Sequence, residues 1–482
     1  MRLILRMLFF SFMMVSLLAN CGEDEDPDFM PPKVDEPDGE VPDVQSFVTT
    51  ADRSSAFNTQ GGLVSAFDED NALQININAA TRFQPMDGIG FALTGGSADH
   101  ISAMSDAART SLLNELFGNG EGQIGASFIR ISIGSSDLDP FVFFYNEDAT
   151  DTEHKKFSLE RDQRSLLPVL KEIIAIRPSI NIMASPWSAP SWMKSNNASV
   201  GGELLPEFYD SYAQYLAEYV KAMEREGVTI GYLTIQNEPL NGFNNPSMMM
   251  SAADQASFIK DHLGPTFERE QIAAKLIIYD HNPDRPDYPI EVLNDTEAAQ
   301  YVDGSAFHLY AGEINALSTV QNAHPDKAIY FTEQWFGAPG NFAEDLKWHT
   351  REVVVGSISN WSRAVIEWNL SSNPTLDPHT PGGCEDCLGC ITIDGDRVTR
   401  NAGYYVVAHA SKFVQPGAER VQSNYLNELP NVAFVTPEGE MVLLVLNNTA
   451  TDQRFNVSAG ETQFSVALSA GAVTTLVWDL TN

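Results

Sequence analysis

Two glutamates stand at the ends of short runs of residues that favour β-strands. Glu238 follows the run "GYLTIQN", and Glu333 closes the run "AIYFTE". A carboxylate that ends a buried strand lies at the rim of a sheet, and in folds of parallel strands that rim carries the reactive groups. Two carboxylates brought together there can divide the roles of general acid, base and nucleophile between them.

Polar and aromatic side chains follow the other strand-like runs in the same way. Tryptophan rings can cover the apolar faces of a sugar, while arginine, asparagine and histidine side chains can bond its hydroxyls. The candidate binding residues are Arg130, Asp137, Trp187, Asn237, His308, Tyr310, Trp335 and Trp368. Packing explains any single one of them, but two carboxylates amid so many aromatic residues indicate carbohydrate chemistry.

Cleavage of a glycosidic bond needs the two things that such a pair supplies. The leaving oxygen requires a proton, and the oxocarbenium-like carbon requires a partner. If the carboxyl groups lie about 5–5.5 Å apart, one of them attacks directly and the product keeps its anomeric configuration. The group that acts as the acid needs a raised pKa, which a nearby negative carboxylate can supply.

An alternating series of strands and helices must position these residues. Eight strand-like runs, separated by amphipathic helical stretches, predict a (β/α)8 barrel, an α/β fold, over residues 81–414. The predicted strands are 88–94, 126–132, 180–185, 231–237, 275–280, 304–310, 328–333 and 363–369. The predicted helices are 101–117, 164–174, 205–226, 252–270, 312–323, 342–357 and 402–413.

The residues on either side of the barrel have a different texture. From 415 to 482 the sequence is a series of strands and turns, and 44–80 contains short alternating runs such as "ALQININ". The edges of the N-terminal strands need a partner, so we expect 44–80 and 415–482 to form one β-sandwich domain beside the barrel.

The N-terminus resembles a bacterial lipoprotein leader. Two arginines precede a short apolar run, which predicts a signal peptide over residues 1–20, and the stretch that ends at Cys21 resembles a lipobox. Residues 21–43 are acidic and proline-rich, which predicts a disordered tether. We therefore expect an outer-membrane lipoprotein, cell-surface or periplasm-facing, anchored through Cys21; plain secretion with a free Cys21 is the alternative.

Three further cysteines form the pattern C-x2-C-x2-C. Such a pattern can hold a metal, but no fourth ligand is evident nearby and an exported chain meets an oxidising environment. We favour a disulfide between Cys384 and Cys387, with Cys390 left over.

Composition and motifs exclude several other classes of protein. The net charge of −36 over 482 residues argues against nucleic acid as a partner. The run "GIGFALTGG" lacks the third glycine of a dinucleotide-binding loop. We predict no cofactor and no metal, and the sequence does not indicate an oligomeric state.

Several motifs together resemble glycoside hydrolase family 30, which includes glucosylceramidases and bacterial β-glucan hydrolases. They are "FIRISIGSSDL", "ASPWSAPSWMKSN", "LTIQNEP", "FHLY", "FTEQW" and "AVIEWNL". The resemblance implies a retaining β-glycosidase in which Glu238 is the acid/base and Glu333 the nucleophile. It also implies that Asp137 binds the 4- and 6-hydroxyls of a terminal glucose. Xylose has no 6-hydroxyl, so Asp137 favours glucose over xylose.

Two departures from the family pattern bear on the substrate. Thr94-Gly95-Gly96 stands where the family often has Thr-Asp, and His308-Leu309-Tyr310 stands where the glucosylceramidases have His-Trp-Tyr. We therefore expect a β-linked glucan, β-1,6 or β-1,3, or the side branches of laminarin. Alternatives within the family are a glucosylceramidase, a β-xylosidase or a β-fucosidase. Outside it, the alternatives are a non-catalytic surface glycan-binding lipoprotein and a structural lipoprotein.

Overall fold

A closed barrel of eight parallel strands forms the centre of the molecule, whose computed structural model describes residues 41–480. Each strand pairs in parallel with its two neighbours around the ring. The barrel strands are Gly88–Ala92, Phe128–Ile133, Asn181–Pro186, Tyr232–Thr234, Lys275–His281, Val302–His308, Ala328–Glu333 and Ser362–Glu367. All eight overlap the predicted strands, and the predicted (β/α)8 barrel is confirmed.

The barrel interior is filled by side chains in layers, because alternate residues of a strand point to opposite faces. An apolar layer closes the lower half of the barrel. Its members are Phe128, Met183, Tyr232, Ile277, Ala306, Tyr330, Ala364 and Ile366. Two residues further along several of these strands the inward side chains become polar, and this second layer supports the residues at the carboxyl ends of the strands.

Helices cover the outside of the barrel. The α-helices are Gly95–Ala103, Asp106–Phe117, Leu166–Ile176, Tyr209–Arg225, Ala252–Phe258, Gly264–Glu270, Asp287–Asn294, Thr296–Ala299, Ala316–Ala323, Phe342–Trp348, Ser357–Ser359 and Ala402–Ser411. The π-helical segments Ile259–Leu263 and His349–Gly356 continue two of them, and short 3-10 turns lie at Asp162–Arg164, Ser191–Met193 and Pro206–Phe208.

Several of these helices differ from the prediction. The predicted helix 101–117 is two helices, because Met104 is extended and the Ser105 hydroxyl caps the second helix by accepting from the Ala108 N–H. The helix Asp287–Asn294 was not predicted, since it is only eight residues long and contains Pro289 in its first turn.

The second domain is a ten-stranded sheet with its own apolar core. Its strands are Gln45–Thr49, Ala56–Thr59, Val64–Ser65, Gln74–Pro85, Glu419–Ser423, Asn431–Val435, Glu440–Leu446, Gln453–Ala459, Thr462–Leu468 and Val473–Asp479. Both predicted segments contribute to it, so the β-sandwich built from N- and C-terminal strands is confirmed. The strand Gln74–Pro85 continues past residue 80, where we placed the boundary.

The side chains of the strand Glu440–Leu446 point alternately into the cores of the two domains. Met441, Leu443 and Val445 face the core of the sheet. Val442 and Leu444, between them, belong to the core of the barrel. A strand buried on both faces is continuously apolar, which explains the run "MVLLVL".

Small sheets complete the fold near the barrel mouth. Phe336–Gly337 pairs with Cys387–Leu388, and Ser371–Ser372, Ile391–Asp394 and Arg397–Arg400 form a three-stranded sheet. Within the described range, no helix has the length and apolarity that a membrane span needs. The predicted signal peptide, Cys21 and nearly all of the acidic tether lie outside the described residues.

Candidate active site

A cavity of about 610 Å³ opens at the carboxyl ends of the barrel strands. Both glutamates that the sequence singled out lie in its wall. The residues that line it are Asp137, Glu238, Leu240, Asn241, Phe243, Asn244, His281, Asn282, Tyr310, Glu333, Trp335, Trp368, Gly382, Gly383, Cys384, Asp386 and Cys387.

Glu238 and Glu333 converge although 95 positions separate them in the sequence. One carboxylate oxygen of each, together with one ring nitrogen of His308, forms a group whose members all lie within 4.8 Å of one another. This separation suits a mechanism in which one carboxylate attacks the anomeric carbon while the other gives a proton to the leaving oxygen. The same spacing could also hold a metal ion, but both glutamates already have donors from the protein.

Glu333 is held by two donors of fixed position. Arg130 donates from Nη1 to Oε2 over 2.7 Å, and the Tyr310 hydroxyl donates to Oε1 over 2.9 Å. The Glu333 side chain is therefore oriented by a permanent positive charge on one oxygen and by a phenol on the other.

Glu238 has donors of a different kind. His308 contacts Oε1 from Nδ1 over 3.1 Å, and Asn241 donates from Nδ2 to Oε2 over 2.7 Å. His281 lies further away, with 3.9 Å between its Nε2 and Oε1 of Glu238. Among the described residues, the basic partners of Glu238 are thus histidines, which can take up and release a proton.

A buried aspartate at the end of the fifth strand organises this cluster. Asp280 accepts hydrogen bonds from side chains on five other strands, and it has no exposed surface. Its donors are Arg130 at 2.8 Å, Ser185 at 3.1 Å, Thr234 at 2.8 Å, His308 at 3.2 Å and Thr332 at 2.7 Å. Burial acts to raise the pKa of Asp280, but the charge of Arg130 and the His308 bond outweigh it and lower the pKa, so the group is ionised.

Arg130 connects the aspartate to the reacting groups. Its guanidinium is buried, and besides Asp280 and Glu333 it donates to Asn237 Oδ1 over 2.6 Å. An aromatic wall covers it, because its Cζ lies 4.9 Å from the Trp187 ring centre. Trp187 in turn stacks on Trp368, with 5.4 Å between the ring centres.

Backbone strain is concentrated at the same strand ends. Glu238, Asp280 and Asn369 have φ values of 47°, 59° and 38°, in the left-handed region that non-glycine residues avoid. Strain of this kind persists where the surrounding structure holds it, and it is characteristic of functional sites. The side chains of Glu238 and Asp280 belong to the cluster, whereas the Asn369 side chain accepts from the Ser97 hydroxyl over 3.0 Å.

One end of the cavity is closed by Asp137 and by the loop 380–390, which contains three cysteines and is named the cysteine loop. The backbone N–H of Thr380 donates to the Asp137 carbonyl over 2.8 Å. A Cβ on Gly383 would lie 2.5 Å from that same carbonyl, so the loop can approach so closely only with glycine there. A disulfide joins Cys384 and Cys387, both in the cavity wall, while Cys390 is free and buried.

His308 sets the proton balance of the glutamate pair. Burial acts to lower the pKa of His308, but the charge of Glu333 and hydrogen bonds to Asp280 and Glu238 raise it to about 9. Burial acts to raise the pKa of Glu238, yet the bond and charge of His308 hold it at about 2. Burial, followed by the charge of Glu238, raises the pKa of Glu333 above its usual range in spite of His308 and Arg130.

These shifts differ from the expectation that the neighbouring carboxylate raises the pKa of the acid. The positive charge of His308 reverses that effect at Glu238, and a histidine charge could not be assigned from the sequence. The two glutamates and His308 interact closely enough to titrate as one unit, so their protons belong to the cluster.

The structure places the ten predicted site residues in two layers. Six line the cavity: Asp137, Glu238, Tyr310, Glu333, Trp335 and Trp368. The other four are buried behind its wall: Arg130, Trp187, Asn237 and His308. Burial also raises the pKa of Asp137 to about 7, with the charges of Glu333 and Glu238 adding to the effect.

Asp280, Asn241 and Phe243 are among the residues of the site that were not assigned from the sequence. Asp280 stands at the end of the fifth predicted strand, 275–280, but the sequence assigns it no role. Asn241 and Phe243 lie in the loop after the fourth strand, where turn composition explains their types equally well.

Two buried glutamates at the ends of the fourth and seventh strands of a (β/α)8 barrel, at a cavity flanked by tryptophans, are the machinery of a glycoside hydrolase. Comparison with known families agrees. The chain belongs to glycosyl hydrolase family 30, whose TIM-barrel domain matches residues 86–414 and whose β-sandwich domain matches residues 417–476.

The relatives include endo-1,6-β-glucanases and a glucosylceramidase. The chain is 34% identical to an endo-1,6-β-D-glucanase of Neurospora crassa, over 72% of this chain and 74% of the relative. It is 26% identical to the lysosomal acid glucosylceramidase of Mus musculus, over 86% and 85% of the two chains. Among solved structures, the endo-β1,6-glucanase BT3312 superposes with a TM-score of 0.85 at 32% identity, covering 91% of this chain and all of that one.

Proposed function

We propose that the enzyme cleaves β-glucosidic bonds with retention, with Glu333 as the nucleophile and Glu238 as the acid/base. The observation that carries the proposal is the convergence of the two carboxylates within 4.8 Å at one cavity. The donors support the assignment of roles. Arg130 keeps a permanent positive charge beside Glu333, whereas Glu238 is bonded to a histidine that can donate or accept a proton.

In the first step, an oxygen of Glu333 attacks the anomeric carbon while the bond to the leaving oxygen breaks. Glu238 takes a proton from His308 across their hydrogen bond of 3.1 Å and passes it to that oxygen, so Glu238 is left as a carboxylate and His308 is left neutral. In the second step, Glu238 takes a proton from water, the water oxygen bonds to the anomeric carbon, and Glu333 leaves. Two inversions at one carbon give overall retention.

Azide distinguishes the two glutamates. Glu333→Ala should abolish hydrolysis and regain activity with azide, which then enters the nucleophile's space and gives the glycosyl azide of inverted configuration. Glu238→Ala should lower kcat/KM by a factor of about 10²–10⁴ on substrates with poor leaving groups. With an activated leaving group it should yield a glycosyl azide of retained configuration. Exchange of these two products between the variants would reverse the assignment.

We propose a β-1,6-linked glucan as the substrate. The relatives that support it are the endo-1,6-β-D-glucanases of Neurospora crassa and Trichoderma harzianum, the latter 30% identical over 84% of this chain. The buried carboxyl of Asp137 in the cavity wall favours a sugar with a 6-hydroxyl over xylose. Laminarin, with β-1,3 links and β-1,6 branches, is the related candidate.

A digest of pustulan, laminarin, curdlan, xylan and glucosylceramide, with sizing of the products, tests the substrate. We expect release of gluco-oligosaccharides from pustulan at the highest rate. Glucosylceramide is the second candidate, because the glucosylceramidases are also relatives. Faster hydrolysis of the lipid or of xylan than of pustulan would overturn the proposal.

We also propose that the enzyme is an exported lipoprotein of the outer membrane, anchored at Cys21. The proposal is supported by the leader-like residues 1–20 and the acidic segment that follows Cys21. Expression of the full chain should place the enzyme in the membrane fraction, and Cys21→Ala should release it. Recovery of the unchanged chain in the soluble fraction would refute the anchor.

A further inference from the structure

We propose that the loop 240–244 binds the sugar on the leaving-group side of the scissile bond, with the ring of Phe243 as its platform. This inference rests on the proposed function, since it uses Glu238 as the acid. The loop is thereby a determinant of substrate preference, because it favours a sugar as the leaving group over a small leaving group.

The position of the acid defines the side of the cavity that holds the leaving sugar. The acid must lie within hydrogen-bond reach of the oxygen that departs. The sugar attached to that oxygen therefore lies against the residues around Glu238. The residues that follow Glu238 in the chain include Leu240, Asn241, Phe243 and Asn244, all of which line the cavity.

Phe243 has no packing role in the fold. Its side chain is 91% exposed, which makes it the most exposed of the large apolar residues in the described chain. It nevertheless lines the catalytic cavity. An aromatic ring left open to solvent at the mouth of a polar cavity is suited to cover the C–H face of a sugar.

Hydrogen bonds fix Phe243 relative to the acid. Asn241 donates from its side-chain nitrogen to Glu238 over 2.7 Å, and its side-chain oxygen accepts from the N–H of Phe243 over 3.1 Å. A single side chain thus ties the platform to the carboxylate. The far end of the loop is also held, because Asn245 donates to the Pro381 carbonyl over 2.9 Å and accepts from Ser199 over 2.9 Å.

The polar groups beside the ring complete a sugar site. The amide of Asn244 lines the cavity next to Phe243, and Asp386 lines it from the cysteine loop. A pyranose needs an apolar surface for one face and hydrogen-bonding groups at its edge. The loop 240–244 offers both on the side where the leaving sugar must lie.

Glucosyl fluoride and gluco-oligosaccharides separate this role from catalysis. β-Glucosyl fluoride has no sugar on the leaving side, whereas a β-1,6-gluco-oligosaccharide does. We expect Phe243→Ala to lower kcat/KM on the oligosaccharide by on the order of tenfold more than on the fluoride. Phe243→Trp should restore the oligosaccharide rate. Tyr425→Ala, which removes an aromatic ring that is 69% exposed and outside the cavity wall, is the matched control.

Transfer to an acceptor gives a second readout. With glucosyl fluoride as donor, an added gluco-oligosaccharide competes with water for the glycosyl-enzyme from the same side. Phe243→Ala should lower the ratio of transfer to hydrolysis by a similar factor. Equal losses on the fluoride and the oligosaccharide, with an unchanged transfer ratio, would overturn the inference. If the unmodified enzyme hydrolyses neither donor, the proposed function itself has failed.

Discussion

Arg130 shows how single side chains create the site. Arg130 is 1% exposed, and its guanidinium pairs with both Asp280 and Glu333, at distances of 2.8 and 2.7 Å. A buried charge is tolerated only when it is paired and hydrogen-bonded. The catalytic carboxylate is therefore part of a network that includes groups from most of the barrel strands, and its orientation is decided before any sugar arrives.

Asp137 tests the choice of sugar. Asp137→Ala should reduce kcat/KM on β-glucosides far more than on β-xylosides, by about tenfold or more, because a xyloside has no 6-hydroxyl for the carboxylate to bind. Paired assays of aryl glucoside and aryl xyloside measure the difference. Asp137→Asn is the isosteric comparison, and equal losses on both sugars would remove the argument for glucose.

The charges of the cluster predict a bell-shaped dependence of kcat/KM on pH. As the pH falls, Glu333 takes up a proton and can no longer attack; its pKa is raised by burial and by Glu238, so this limb lies above the ordinary carboxyl range. As the pH rises, the proton shared by Glu238 and His308 is lost near the raised pKa of His308, about 9. A profile without an alkaline limb would contradict Glu238 as the acid.

The sequence can predict the two glutamates because each ends a strongly strand-like run. It cannot predict Asp280 as the centre of the network, since its donors come from five other strands that only the closed barrel brings together. Phe243 is missed for a different reason. Its environment is solvent, and no local pattern separates a functional exposed ring from an incidental one.

At the scale of elements, the cysteine loop forms part of the cavity wall and is held by a disulfide. The disulfide closes a ring of few residues, so it constrains the unfolded chain weakly. Cys384→Ser/Cys387→Ser should lower the free energy of unfolding by at most about 2 kcal/mol, while KM rises several-fold as the wall near Asp137 loosens. Urea unfolding and steady-state kinetics measure the two effects. A large loss of unfolding free energy with an unchanged KM would show that the disulfide stabilises the fold and does not shape the cavity wall.

The helix Ala402–Ser411 couples the barrel to the second domain through a buried histidine. His409 lies between Thr475, at 3.0 Å from Nδ1, and Thr49, at 2.9 Å from Nε2. Burial lowers the pKa of His409 to about 3 from an ordinary 6.5. Three separate segments of the chain therefore meet at a ring that the fold keeps neutral.

His409 should make stability fall in acid. The unfolded chain takes up the proton near pH 6.5 and the folded chain only near 3, so this contribution is complete above 6.5 and is lost as the pH falls. Between pH 6.5 and 5 the loss is about 2 kcal/mol. His409→Gln should flatten the slope of unfolding free energy against pH in this window, measured by urea titration. An unchanged slope would show that His409 does not titrate on unfolding.

At the scale of the whole molecule, the two domains share their cores. Val432, Phe434, Val442, Leu444 and Val473 of the sheet are part of the barrel's core. Residues 86–414 alone should therefore expose a large apolar surface and aggregate, whereas 41–480 should be soluble and unfold in a single transition. Circular dichroism and calorimetry compare the two chains. A soluble, active barrel would contradict the shared core.

The sequence predicts this architecture well because alternation and turns identify each strand, and because the edge of an isolated N-terminal strand needs a partner. It does not predict which face of "MVLLVL" meets which core. Both faces are apolar, so only the packed structure distinguishes them.

The pairing of the first and last strands has one more consequence. Gln45 lies opposite Val477, so the two ends of the described chain leave the sheet side by side. A short peptide could join them, and the chain could then be reopened at an exposed turn such as Gly460-Glu461. Such a circularly permuted enzyme should keep its fold, and a surface attachment made at either terminus should present the catalytic mouth in the same direction.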